Sequence, residues 1–178
     1  MRLFKTESSD LSDKALPRTR RILTQLLLVY ATLTVACFAA YWIGGMSIFD
    51  AVNHAFATMA TGGFSTHAGS IGGYANPLIE YVVTLFMVIA GVNFALHFTA
   101  WRRRTLETYI RDSETLFFCS ILLICILITS ATLLGTETFS ASGSLIHGLF
   151  QAVSITTTTG FVTSDFAQWP SFLPLLLL

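Results

Sequence analysis

The sequence predicts an all-α integral membrane fold built from repeated units, and three observations predict it. Of its 178 residues 53% are hydrophobic and only 11% charged, less than half the roughly 25% of an ordinary soluble domain. All 10 basic residues fall in two short windows, Arg2 to Arg21 and Arg102 to Arg111. A short phrase recurs 97 residues apart, Thr61-Gly62-Gly63-Phe64 and Thr158-Thr159-Gly160-Phe161, and each copy precedes a new hydrophobic segment.

The elements follow in chain order. Residues 1–21 mix acids, bases and Pro17 and read as a linker; the apolar run behind them exceeds a signal-peptide core, so no cleaved leader is expected. The stretch 22–43 is uncharged and long enough to cross a hydrocarbon core of about 30 Å. The next stretch, 47–60, is too short to cross, because a 14-residue helix extends only about 20 Å. It starts with a capping pattern, Ser47 with Asp50 three positions on. The phrase and its polar continuation occupy 61–66, and a second spanning helix is expected over 78–101, opening beside Pro77. Residues 102–114 form a basic loop. The second unit then repeats the order: a spanning helix 115–135, a half-length helix 144–157 with Ser144 as cap candidate, the phrase at 158–163, and the start of a further span at 170–178.

The register holds without a gap: aligning Gly63 with Gly160 also aligns His54 with Gln151, Thr66 with Thr163 and Pro77 with Pro174. By the positive-inside rule both basic windows are cytoplasmic, so both phrases face outward and the units are parallel repeats. Each half-length helix must therefore descend and the chain return, a re-entrant loop. Non-helical backbone at membrane depth persists only when buried in protein or lining a water-filled path. Glycine at 63 and 160 permits left-handed backbone that turns carbonyls toward an axis, where they replace the hydration shell of a cation. The threonines can add carbonyl and hydroxyl oxygens, and the negative C-terminal ends of the two short helices favour a cation over an anion.

The segments Phe49 to Gly69 (FDAVNHAFATMATGGFSTHAG), Gly91 to Phe98 (GVNFALHF) and Gln151 to Pro170 (QAVSITTTTGFVTSDFAQWP) resemble the Trk/Ktr/HKT superfamily of potassium transporters, most closely its Trk-type bacterial membrane subunit. The resemblance implies helix/pore-helix/helix units of potassium-channel type, four to a chain around one potassium pathway. This sequence then corresponds to the second unit and most of the third, a fragment expected to be inactive alone. It implies potassium as the transported ion, held mainly by the backbone carbonyls of Thr61, Gly62, Gly63, Thr158, Thr159 and Gly160. As partners it implies membrane lipid, the missing pore units of the parent chain, a second copy in a homodimer, and a cytoplasmic nucleotide-binding regulatory subunit. The implied location is the bacterial inner membrane.

Other polar residues invite readings of their own. His54 suits anchoring of the re-entrant segment by hydrogen bonding. Asp165 either concentrates cations at the mouth or caps local amides. Glu80 stands at the interface or inside the span, Asn93 and His97 share a helical face suited to bonding neighbouring helices, and His147 reads as a surface residue. Cys37, Cys119 and Cys125 read as small hydrophobes without metal or redox spacing. The basic windows flank apolar spans and lack interleaved aromatics, which argues against nucleic acid. No phosphate loop, HExxH or nucleophile elbow occurs, so an enzyme, a catalytic residue or a bound cofactor is not expected. The alternative to transport is a membrane anchor whose re-entrant loops only pack.

Overall fold

The computed structural model describes residues 4–136, 139–165, 169, 170 and 172–177, with side chains from residue 20 onward except at 21, 174, 175 and 177. The described residues form helices and turns with no strand. Helix α1 (Phe4–Ile43) is one 40-residue rod, so the expected linker is helical from Phe4 onward and continues into the first span. Its sequence contains no glycine before Gly44, and nothing but Pro17 opposes helix before that point. Helix α2 (Ile48–Met59) descends from a turn at Gly44 and Gly45. A short 3-10 turn (Ser70–Tyr74) follows, then α3 (Pro77–Gly91). Asn76 caps α3 by accepting from the Leu78 amide at 3.0 Å, with proline in the first turn where its missing N–H costs nothing.

The expected continuous span over 78–101 is a broken one. Helix α3 ends at Gly91, and α4 (Phe94–Arg103) leaves it at 94°. Val92 is extended at the break, and the Asn93 carboxamide restarts the helix by accepting from the Ala95 amide at 2.9 Å. Asn93 is therefore a cap rather than a bond to a neighbouring helix. Gly91 sits close against the following unit: a Cβ there would lie 2.7 Å from the Phe118 ring and 3.3 Å from Thr157 Cγ2, so any larger residue would push that ring aside.

The basic loop contains a single helical turn, α5 (Glu107–Ile110), before α6 (Ser113–Gly135), which Asp112 caps through the Thr115 amide at 2.8 Å. Helix α7 (Ala141–Thr156) begins one turn earlier than the expected 144 and is capped by Ser140. Ser144 is instead buried where α7 crosses α6. The crossing is tight: a Cβ on Gly148 would meet Ser130 Oγ at 2.7 Å and Ser130 Cα at 3.1 Å. Helix α8 (Phe172–Leu177) closes the described chain.

Ile22–Ile43 and Ser113–Gly135 are long and apolar enough to cross a membrane, and the bent pair α3–α4 makes a third crossing if counted as one span. Along α6, Leu116, Phe117, Ile121, Leu123, Ile124 and Leu127 all point outward. So much exposed apolar surface on one helix is suited to lipid, not to water. Cys37 is buried as expected, whereas Cys119 is exposed on this same greasy helix. The main core gathers Tyr41, Met59, Ile71, Val83, Met87, Phe150 and Phe161 from both units around the two short helices.

Candidate ion-coordinating site

Helices α2 and α7 aim their C-terminal ends at one place, and a phrase leaves each end. After α2, the Thr61 amide donates to Thr58 O at 3.0 Å and the Gly62 amide to Ala57 O at 2.7 Å. After α7, the Thr158 amide donates to Ile155 O at 2.8 Å and the Thr159 amide to Ser154 O at 2.9 Å. These bonds satisfy the last carbonyls of each helix and hold the start of each strand at equivalent positions.

The backbone of the two phrases follows one pattern. Thr61 and Gly63 have φ of 48° and 62°, Thr158 and Gly160 have 59° and 84°, and the residue between each pair has no positive φ. Left-handed backbone at a threonine is unfavourable and persists only where surroundings hold it. The two strands also meet. A Cβ on Gly63 would fall 2.1 Å from the Thr159 carbonyl oxygen, so the Gly63 position and the Thr159 backbone occupy adjoining sectors of one site. Of the six expected residues the structure brings Gly63 against Thr159 and Gly160. The Thr159 hydroxyl is buried and donates to Thr157 Oγ1 at 2.8 Å, while Thr157 donates to Val153 O, so this hydroxyl is tied back to the end of α7.

Each strand is braced from behind. His54, fully buried, donates from Nδ1 to Asp50 O at 2.8 Å, and its Nε2 hydrogen-bonds the Ser65 hydroxyl at 2.9 Å. A carbonyl can only accept, so Nδ1 carries a proton. Thr58 donates to His54 O and receives the Tyr41 hydroxyl at 2.7 Å, tying α2 to α1. Position 151 carries glutamine in place of this histidine and Val162 stands in place of Ser65. The second brace is built differently: Ser154 Oγ donates to Phe161 O at 2.7 Å.

A second pair of braces was not read from the sequence. Thr66 donates to Asp50 Oδ1 at 2.5 Å, and at the equivalent positions Thr163 and His147 Nδ1 lie 3.1 Å apart. His147 is thus a support for the second phrase and not a mere surface residue. The alignment of Gly63 with Gly160 places both pairs in register, and that was the signal available. Hydrogen bonds from Thr66 first and Ser47 second, with His67 at 3.6 Å, hold the Asp50 carboxyl below the usual carboxylate range.

The units also lock to each other beyond the phrases. The Gly72 amide donates to Val162 O at 3.1 Å, and the Val162 amide donates to Ser70 Oγ at 3.2 Å. Phe161, with no exposed surface, packs its ring 5.8 Å from His54, whereas Phe64 is 81% exposed. Asp165 is exposed beside a cavity of about 610 Å³ between Gly72, Gly73 and Ser164. Glu80 is buried near the start of α3. Among the described residues no cluster of three or more His, Cys, Asp or Glu side chains suits a metal ion.

Residues 1–178 match the family described as TrkH, cation transport protein. The chain belongs to the TrkH family. It is 44% identical to the Trk system potassium uptake protein TrkH of Halomonas elongata over 99% of its own length and 37% of that protein's. Identity to the Escherichia coli K12 protein of the same description is 41%, over all of this chain and 38% of the relative. The crystal structure of the potassium transporter TrkH from Vibrio parahaemolyticus superposes with a TM-score of 0.87 at 39% identity, covering 90% of this chain and 35% of the other. The chain thus spans little more than a third of the length of these TrkH relatives.

Proposed function

We propose that this chain supplies two filter-bearing units of a potassium uptake protein, in which the carbonyls of Thr61, Gly62, Gly63, Thr158, Thr159 and Gly160 replace water around a passing potassium ion. The observation that carries the proposal is the pair of strands, each with left-handed backbone at its first and third residues, meeting at Gly63 and Thr159 below two converging helix C-termini. Alternating handedness along a strand allows successive carbonyls to face one side, and a ring of such carbonyls discriminates among cations. The names of the relatives supply the ion.

Two strands leave the coordination ring open on its other sides. The remaining oxygen ligands come from further units of the parent protein, and the 178 residues alone do not conduct. The basic ends of α1 and α4 face the cytoplasm of a bacterial inner-membrane protein, the phrases face outward, and the parent works as a homodimer with a nucleotide-binding regulatory subunit on its basic side. Potassium-limited growth and uptake by the full-length parent carrying Gly63→Ser or Gly160→Ser test the filter assignment. Loss of uptake, or of preference for potassium over sodium, is expected in each variant. Unchanged uptake and selectivity in both would leave the loops as packing elements of a membrane anchor.

A further inference from the structure

Beside the 94° break, α4, α5 and residues 29–33 of α1 line a groove of about 430 Å³. Its walls are apolar, from Val29 and Leu33 of α1, Ala100 and Trp101 of α4, and Leu106, and Arg104 stands among them. The groove is a formed feature. His97 donates from Nε2 to Ile89 O at 2.9 Å across the break and accepts the Tyr109 hydroxyl on Nδ1 at 2.9 Å, pinning α3, α4 and α5 together. Arg104 ends α4 in left-handed backbone, with φ of 53°, an unfavourable state for a residue with a side chain.

Charge and location select the occupant. Arg102, Arg103 and Arg104 are exposed, and none has an ion pair among the described residues. The nearby acids are engaged elsewhere: Glu107 pairs with Arg111, and Asp112 caps α6. Leu27 and Leu28, exposed apolar residues of the α1 span, stand next in the chain to the groove's α1 wall at Val29 and Thr32. Trp101 and the three arginines, together at the end of α4, are the residue types that settle at a headgroup layer. A soluble protein partner would find arginines here but has no use for an apolar slot opening onto the hydrocarbon side.

We propose that this groove is a site for one anionic phospholipid, its acyl chain lying between α1 and α4 and its phosphate held by Arg104. The proposal rests on the membrane reading of the chain and is independent of the filter. It is tested with the intact parent protein in nanodiscs of phosphatidylcholine doped with brominated phosphatidylglycerol or brominated phosphatidylcholine. The readout is the quenching that disappears in a Trp101→Phe control.

Brominated phosphatidylglycerol is expected to quench Trp101 at about fivefold lower mole fraction than brominated phosphatidylcholine, the preference one arginine near an anionic lipid supplies. Arg104→Gln should abolish that preference and Arg104→Lys should keep most of it. Arg102→Gln, equal in charge change but outside the groove, should keep it too. Thr32→Phe, which fills the groove from the exposed face of α1, should reduce quenching by both lipids while leaving the protein monodisperse and active in uptake. Equal quenching by the two lipids, or an equal effect of Arg102→Gln and Arg104→Gln, would overturn the proposal by reducing it to diffuse attraction. Absence of Trp101 quenching would overturn it as well, since the groove would then be filled by protein, whether a further unit, a second copy or a soluble subunit. Loss of filter function with this lipid preference intact would leave the proposal standing.

Discussion

Gly63→Ala is the sharpest perturbation the structure offers. Two costs combine at that position. The φ of 62° is left-handed backbone, worth about 1–2 kcal/mol against any residue with a Cβ. The added methyl would also sit 2.1 Å from Thr159 O and 3.1 Å from the Thr159 and Gly160 carbonyl carbons. These are backbone atoms of the facing strand, which no side-chain rotation relieves, so one strand must retreat by about 1 Å in a close-packed interior. Gly62→Ala is the internal control: φ there is not positive, and its Cβ would meet chiefly the ring of Phe64, itself exposed and able to rotate, at 3.3 Å. Rubidium uptake by the full-length parent, normalised to protein in the membrane, should fall by at least about tenfold in Gly63→Ala and by less than about threefold in Gly62→Ala. Equal loss in the two variants, or full uptake by Gly63→Ala, would refute the claim that the two strands meet at this glycine.

Other outcomes follow from the packing. Gly148→Ala should lower the stability of the detergent-solubilised parent by about 1–3 kcal/mol, seen as a lower melting temperature, and adding Ser130→Gly should restore part of it because Ser130 Oγ is the nearest obstacle. His54→Phe keeps the ring volume but leaves Ser65 Oγ without its ring partner, so hydrogen exchange should quicken at Ser65 to His67 while α2 stays protected. The Asp50 carboxyl is lowered below its ordinary value of 3.8, so its bracing of Thr66 is fully present above that value and is lost as pH falls through the lower folded value. Exchange protection of the 65–67 segment should therefore be flat from neutral pH down to about 4 and fall below it, and Asp50→Asn should remove that acid step. His97→Phe should loosen the α3–α4 corner and raise proteolysis in the 104–112 loop without altering ion selectivity.

The sequence made the repeat legible because its signal is chemical. Glycine and threonine at fixed spacing, behind a helix too short to cross, leave few structural solutions in lipid. The corner at 91–93 was hidden for the opposite reason. Gly91, Val92 and Asn93 sit in an apolar run that satisfies a span on composition alone, and the approach of Phe118 and Thr157 to Gly91 is a contact between units. The start of α7 was misplaced by one turn because Ser140 and Ser144 both suit a cap and only burial against α6 distinguishes them. The bond from the Thr159 hydroxyl back to Thr157 was not legible in a run of four threonines, whose hydroxyls are equivalent on paper. His147 became intelligible through its pairing with Thr163, which mirrors Asp50 with Thr66 using different chemistry.

The most direct test of the central claim is the position of the ion. Anomalous diffraction from crystals of the full-length parent soaked in rubidium or thallium should show a peak within coordination distance of backbone carbonyls in both 61–63 and 158–160, at the point where Gly63 faces Thr159. A peak placed away from both strands, or coordination by side-chain carboxylates instead of these carbonyls, would contradict the account.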